Sequence, residues 1–63
     1  MPWSYVQVDK ILKETPKAFL VEIDGEELWI PHSQIADSED YREGDKDLEI
    51  AVAEWFAKKE GLA

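Results

Sequence analysis

Two adjacent side chains, His32 and Ser33, are of types that could support nucleophilic catalysis. A histidine can take the proton of a serine hydroxyl, which then attacks a carbonyl carbon. This chemistry also needs a group that orients the histidine and donors that stabilise the oxyanion, and no sequence pattern indicates either. We therefore predict that the chain is not an enzyme and interpret His32 as a histidine at the end of a strand.

The acidic segment 37–49, DSEDYREGDKDLE, could offer oxygen ligands to calcium. An EF-hand needs an invariant glycine at its sixth position. Placing Gly44 there puts Tyr41 third and Ile50 twelfth, which removes essential oxygens. A weak cation site stays an alternative, but we predict no metal or other cofactor and interpret residues 37–47 as a mobile, solvated loop.

The three Trp, two Tyr and two Phe residues are many for 63 residues, and bases of single-stranded nucleic acids stack on such rings beside a basic groove. Lys10, Lys13 and Lys17 give residues 1–17 a net charge of +1, while the remainder carries −9. Binding of single-stranded DNA or RNA through these lysines is therefore the alternative function.

We expect most of the rings to be structural. Trp55 and Phe56 are predicted to lie in the core, and Trp3 and Tyr5 to pack against the open end of a barrel. Trp29 falls on a less buried face, where either the helix covers it or a partner binds it.

The first element that positions these residues is a long strand, predicted from Ser4 to Thr15. We expect a bulge or bend near residues 9–10, because Ile11 and Leu12 break the alternation of Val6 and Val8. A turn is expected at residues 15–17, around Pro16. Asp24-Gly25 predicts a type I′ hairpin turn between strands 18–23 and 26–31.

A two-residue turn also predicts the pairing of these strands, with Val21 opposite Leu28 and Leu20 opposite Trp29. One face is then the core face, comprising Phe19, Val21, Ile23, Leu28 and Ile30. The outer face carries Ala18, Leu20, Glu22, Glu27, Trp29 and Pro31.

The C-terminal part alternates at Leu48, Ile50 and Val52, which predicts a short fourth strand, followed by a helix over roughly 52–60. Gly61 is placed to end that helix in the left-handed conformation, with Leu62 folding back on Phe56 or Ala57. We predict one domain, 1–63, that is mainly β with the order β-β-β-β-α. It forms a small SH3-like or OB-like barrel or a strongly bent antiparallel sheet; the alternative is an open three-stranded meander with the helix across one face.

Composition excludes several classes of function and of binding site. There are 15 acidic and 7 basic residues, a net charge of −8, which argues against direct binding to nucleic acid or to anionic lipid. The absence of cysteine excludes disulfides and thiolate metal sites. The start MPWSYVQVDK lacks the pattern of a signal peptide, and no apolar run reaches membrane length, so we predict a cytoplasmic protein, in the host cytoplasm if it is phage-encoded.

Two segments, LWIPHSQI at 28–35 and AEWFAKKEGL at 53–62, resemble small phage and prophage accessory proteins with a Trp-Ile-Pro-x-Ser-Gln-Ile segment and a Glu-Trp-Leu/Phe-Ala…Gly-Leu tail. The similarity covers most of positions 10–62. The shared motif positions, for which it implies a structural role, are Trp29, Pro31, Ser33, Gln34, Glu54, Trp55, Gly61 and Leu62. His32 stands where that group would have a lysine, which makes this surface less basic.

Small acidic phage proteins often occupy the nucleic-acid site of a host protein, so the resemblance implies an inhibitor of the DNA-mimic, anti-CRISPR or anti-restriction type. We therefore predict a protein-binding module that meets a protein partner with a basic groove. The predicted partner-binding residues are Trp29, Glu22, Glu27, Asp37, Glu39, Asp40, Glu43, Asp45 and Asp47.

Overall fold

A computed structural model describes residues 2–62, which form four antiparallel strands and one C-terminal helix. The elements are β1 (Trp3–Glu14), β2 (Ala18–Ile23), β3 (Glu26–Pro31), β4 (Lys46–Ala53) and α1 (Glu54–Lys59). Two short 3-10 turns, His32–Gln34 and Ser38–Asp40, lie between β3 and β4. The prediction of a mainly β chain with the order β-β-β-β-α is confirmed.

The strands form one sheet in the order β3-β2-β1-β4. After β3 the chain crosses to the opposite edge, where Ile35 forms a bridge with Val52 and the backbone N–H of Ala36 donates to the carbonyl of Ala51 at 2.9 Å. These bonds link the two ends of the strand order. The observed sheet therefore has the four predicted strands and is not the three-stranded meander.

The β2–β3 hairpin has the predicted register, including the Val21–Leu28 and Leu20–Trp29 pairs. Asp24 and Gly25 both have positive φ, at 52° and 81°, as a type I′ turn requires. Because side chains alternate across a strand, this register sends Phe19, Val21 and Ile30 into the core.

Strand β1 pairs with β4 through its first half and with β2 through its second. Its buried positions are Val6, Val8 and then Ile11, so the inward side changes between residues 8 and 11, near the predicted bend. The bulge in the β1–β2 ladder lies later, at Leu12, where the pairing shifts between Ile11 and Lys13. The change of side agrees with the predicted bulge or bend near residues 9–10, and the shift of pairing at Leu12 is a second irregularity that was not predicted.

The predicted turn after β1 is present and is held by Thr15. Its backbone N–H donates to the carbonyl of Ala18 at 2.9 Å, and its hydroxyl accepts the N–H of Ala18 at 3.0 Å. Pro16 occupies the position between them without needing a donor of its own.

Helix α1 is shorter than predicted, because Val52 and Ala53 belong to β4. Its end matches the prediction: Gly61 has φ of 73°, its N–H donates to the carbonyl of Lys58 at 3.2 Å, and the N–H of Leu62 donates to Ala57 at 2.7 Å. This is the Schellman pattern of helix termination. It folds Leu62 back against the core.

One hydrophobic core lies inside the bent sheet, closed by the helix. Within it Phe19, Ile11, Ile30, Ile50, Val8, Val21 and Val52 are fully buried. Burial of one such side chain contributes about 1.5–3 kcal/mol. With so few large buried side chains, most of this protein's stability depends on a small set of contacts.

The hairpin turn yields a prediction for stability. An alanine Cβ at Gly25 would meet no atom within 4 Å, so Gly25→Ala adds no clash and only forces a side chain into the left-handed region. We expect a loss of about 1 kcal/mol in the free energy of unfolding by urea denaturation. The matched control, Asp24→Asn, keeps a residue that tolerates positive φ and should change stability by less than about 0.5 kcal/mol. Equal stability of Gly25→Ala and the parent protein would contradict the type I′ turn.

Candidate functional site

The outer face of the sheet carries a row of three paired residues, Lys13, Leu20 and Trp29, from β1, β2 and β3. Directly opposed residues in antiparallel strands share one side of the sheet, so the three side chains are neighbours. Trp29 is 48% exposed and Leu20 is half-buried. The row combines an accessible indole, an aliphatic side chain and a cation.

The next row on this face is charged and consists of Lys10, Glu22 and Glu27. Lys10 opposite Glu22 is a favourable pairing, whereas Glu22 opposite Glu27 sets like charges side by side. The bulge at Leu12 explains why Lys10 and Lys13 share the outer face although they are three positions apart, because the inserted residue restores the alternation. We call these two rows together the hairpin face.

The helix does not cover Trp29. It packs against β1 and β4, and the indole on β3 stays half exposed. The structure therefore leaves the ring of Trp29 accessible, and the alternative in which the helix covers it is wrong.

Three other rings lie further outside than predicted. Trp55 is 53% exposed rather than core, because the helix starts at Glu54 and presents Phe56 and Ala57 to the core, which turns Trp55 outward. Its ring meets Phe56 edge-on, with centroids 5.8 Å apart. Phe56 is buried as predicted.

Trp3 and Tyr5 were predicted to pack against an open end of the barrel, and this was wrong. They are 40% and 71% exposed. Since Val6 and Val8 point inward, alternation sends residues 3 and 5 to the outer side of β1. Tyr5 lies opposite Ala51, a side chain too small to cover it.

The acidic segment is attached to the sheet on both sides of Gly44. The N–H of Gly44 donates to the carbonyl of Ile11 at 2.8 Å, and the N–H of Ile11 donates to the carbonyl of Asp45 at the same distance. The predicted loop 37–47 also contains the Ser38–Asp40 turn and the first two residues of β4. The part of this segment without regular structure is therefore shorter than predicted.

Two of the predicted partner-binding carboxylates have local structural contacts. Glu43 and Glu14 form a reciprocal pair, in which each side chain accepts the other's backbone N–H, at 3.1 and 3.2 Å. Asp45 accepts the N–H of Arg42 at 2.9 Å. Neutralising Glu43 would therefore change local structure as well as charge.

Asp37 and Asp40 lie close to Tyr41, a half-buried ring that packs against the core. Partial burial raises the pKa of the Tyr41 phenol above its ordinary value of 10.0, and the charges of Asp40, Asp37 and Tyr5 raise it further. The phenol is therefore a neutral hydrogen-bonding group in a negative environment. This part of the surface is acidic with an aromatic centre.

His32 has a structural environment. Its Nε2 lies 2.7 Å from the carbonyl oxygen of Thr15, which implies that Nε2 carries the proton and donates. The ring meets Phe19 edge-on at 4.5 Å. The hydroxyl of Ser33 accepts from Gln34 at 3.2 Å, so these contacts do not join Ser33 to His32.

Within residues 2–62, no three His, Asp or Glu side chains come close enough to hold a metal ion. In the same part of the chain, no helix has the length and apolar character needed to cross a membrane. The single salt bridge within 4.0 Å among these residues joins Lys58 to Glu54, at 3.2 Å.

The chain matches no protein-family model, no curated protein and no solved structure at significant similarity. The resemblance to phage and prophage proteins therefore stays a prediction.

The predicted partner-binding residues divide between two regions. The hairpin face holds Trp29, Glu22 and Glu27, while the remaining acids lie between β3 and β4, except Asp47, which belongs to β4 itself. The sequence did not single out Leu20 as the neighbour of the indole, although the predicted register already placed them opposite each other. Lys17 lies in the turn after β1, apart from the two rows that hold Lys10 and Lys13.

Exposure of Trp29 predicts how the domain responds to its removal. Trp29→Ala should lower the free energy of unfolding by about 1 kcal/mol, the order of a cross-strand contact. Phe56→Ala, which empties a core position, should cost about 3–5 kcal/mol. Urea denaturation of the two variants measures both values. A loss for Trp29→Ala as large as that for Phe56→Ala would show that the indole is a core residue.

The raised pKa of Tyr41 predicts an alkaline effect. Deprotonation is easier in the unfolded chain, so the contribution of Tyr41 to stability is complete below pH 10.0 and is lost as pH rises through the higher folded-state pKa. In Tyr5→Phe, where Tyr41 is the last tyrosine, near-ultraviolet titration should give a higher pKa for the folded protein than for the same protein in urea. A folded-state pKa equal to the unfolded one would contradict the described environment, and Tyr41→Phe should remove this part of the alkaline destabilisation.

Proposed function

We propose that the protein is a non-enzymatic binding module whose partner is a protein with a basic surface. The observation that carries the proposal is the half-exposed Trp29 beside Leu20 on the hairpin face. Pairing of β3 with β2 fixes the backbone position from which this indole projects in the free protein.

The indole supplies the main anchoring energy in this proposal. A tryptophan that becomes fully desolvated in a partner's pocket typically contributes 2 kcal/mol or more, roughly 30-fold in affinity. Leu20 extends the apolar contact, and Glu22 and Glu27 form its charged border. The arrangement fits an interface with an apolar centre and a polar rim.

In this proposal the net charge increases the rate at which the protein and its partner meet. The chain carries a net charge of −8, and the one salt bridge found within residues 2–62 leaves most carboxylates free to contribute to a long-range field. Such a field accelerates encounter with a positively charged surface and weakens with added salt. Asp37, Glu39 and Asp40 are exposed and without a side-chain bond within 4.0 Å to a cation in the described chain, so they serve this role.

A nucleic-acid enzyme is the partner class that suits these features best, since its substrate groove is both basic and shaped for an acidic surface. Inhibition of such an enzyme, as by a DNA-mimic, anti-CRISPR or anti-restriction protein, is the form of this proposal that the resemblance to phage proteins supports. The cytoplasm, where such an enzyme works, is the proposed location.

One observation favours a second candidate, an accessory protein that binds single-stranded DNA or RNA. Lys10 and Lys13 share the outer face with Trp29, so a base stacked on the indole would have cations near its phosphates. The neighbouring Glu22 and Glu27 oppose this function, because they would repel the same phosphates. The protein-binding proposal is therefore the leading one.

Two variants separate approach from anchoring in the leading proposal. The partner is isolated on immobilised protein from nuclease-treated lysate of the producing cells, and its binding kinetics are measured by surface plasmon resonance. Trp29→Ala should raise the dissociation rate about 30-fold. The triple variant Asp37→Asn, Glu39→Gln, Asp40→Asn should slow association and flatten its salt dependence, with the dissociation rate nearly unchanged.

The control is a titration of the isolated protein with labelled single-stranded oligonucleotides. Micromolar binding that is lost in Trp29→Ala and in Lys13→Ala would establish the second candidate instead. Partner dissociation that is unaffected by Trp29→Ala would remove the anchor from the leading proposal.

A further inference from the structure

A groove of about 400 Å³ lies between the hairpin tip and the C-terminal end of the helix. Four apolar side chains line it, Val6, Ile23, Leu28 and Leu62. Ile23, Leu28 and Leu62 are half-buried and pack against the core. They therefore form an apolar wall that solvent can reach. The Schellman bond from Leu62 to Ala57 places the C-terminal wall of this groove.

Apart from Gln7 and Gly61, the rest of the lining is acidic. Four acidic residues, Asp24, Glu26, Glu27 and Glu60, border the groove, and among the described residues that line it there is no Lys, Arg or His. Asp24 and Glu26 belong to the hairpin turn and its flank, while Glu60 comes from the end of α1, more than thirty positions away in the chain. Folding alone brings these charges together.

We propose that this groove docks an arginine-rich or lysine-rich peptide segment of the protein partner. Arginine and lysine have aliphatic stems that lie along apolar surface and charged heads that stay at its edge. The stem would contact Ile23, Leu28 and Leu62, and the head would reach the carboxylates around them. This inference rests on the proposed function, for which it specifies a chemical feature of the partner.

Charge complementarity selects this occupant over others. The acidic residues of the lining repel a nucleic-acid phosphate or an acidic peptide. A purely apolar segment would have to desolvate carboxylates without pairing them, which costs free energy. A basic segment satisfies both parts of the lining.

The experiment uses a capped hexa-arginine peptide as the probe, with backbone amide shifts of the intact protein followed by NMR. Binding should shift the amides of Ile23, Glu26, Leu28 and Leu62, and should weaken as salt is added. Two control peptides of the same length test the two halves of the recognition. Citrulline removes the charge but keeps the stem, and 2-amino-3-guanidinopropionic acid keeps the guanidinium charge on a short stem. Both should bind at least about fivefold more weakly than the arginine peptide, because each loses one kind of contact.

Matched variants distinguish the groove from the net charge. The groove variant Asp24→Asn, Glu26→Gln, Glu60→Gln and the segment variant Asp37→Asn, Glu39→Gln, Asp40→Asn each remove three negative charges from the net −8. Glu27 is left in place because it also borders Trp29 on the hairpin face. We expect at least about a fivefold loss of peptide affinity in the groove variant and less than twofold in the segment variant.

Equal losses in the two variants, or amide shifts outside the groove, would overturn the docking site. A partner whose binding depends on Trp29 but is insensitive to the groove variant would leave the proposed function standing and reject this inference alone. Conversely, peptide binding in the groove with no effect of Trp29→Ala on the partner would reject the hairpin-face anchor and retain the groove.

Discussion

Strand β1 must supply side chains to one small core while pairing with a different strand along each half. Its first half lies beside β4 and its second beside β2, and its inward positions change between Val8 and Ile11. Simple alternation would send Ile11 to solvent. The bonds of Ile11 with Gly44 and Asp45 hold this part of β1 against the chain that leads into β4, and the bulge at Leu12 shifts the pairing with β2 after Ile11. The bend of the sheet depends on both.

The bulge at Leu12 also determines which side chains of β1 lie on the outer surface. Because the bulge returns Lys13 to the outer side, Lys10 and Lys13 both reach the hairpin face, next to Glu22 and Leu20. A domain of 63 residues has too little interior for seven aromatic rings, so four of them are at least 40% exposed and Tyr41 is half-buried. The exposed rings are thus a consequence of small size, whereas the excess of carboxylates follows from a composition of 15 acidic and 7 basic residues.

Local patterns were enough to predict the hairpin, its register and the helix end. Asp24-Gly25 and Gly61 each require positive φ, and this requirement acts within a few residues. Trp29 could be assigned to the outer face for the same reason.

Features that depend on long-range packing could not be predicted. The start of α1 was misplaced because Val52 fits both a strand and a helix pattern, and that error also placed Trp55 in the core. The bridge of Ile35 to Val52 and the reciprocal bonds of Glu14 and Glu43 join segments far apart in the chain. The groove beside Leu62 depends on the same kind of contact, so no sequence pattern indicated it.

Strand β3 lies at the end of the strand order, where its composition affects whether another chain can pair with it. A copy of β3 laid along its free edge would bring Glu26 and Glu27 against an identical acidic strand, and Pro31 would offer no N–H to the new ladder. The charges that we propose to attract a basic partner also discourage this edge from growing into an intermolecular sheet.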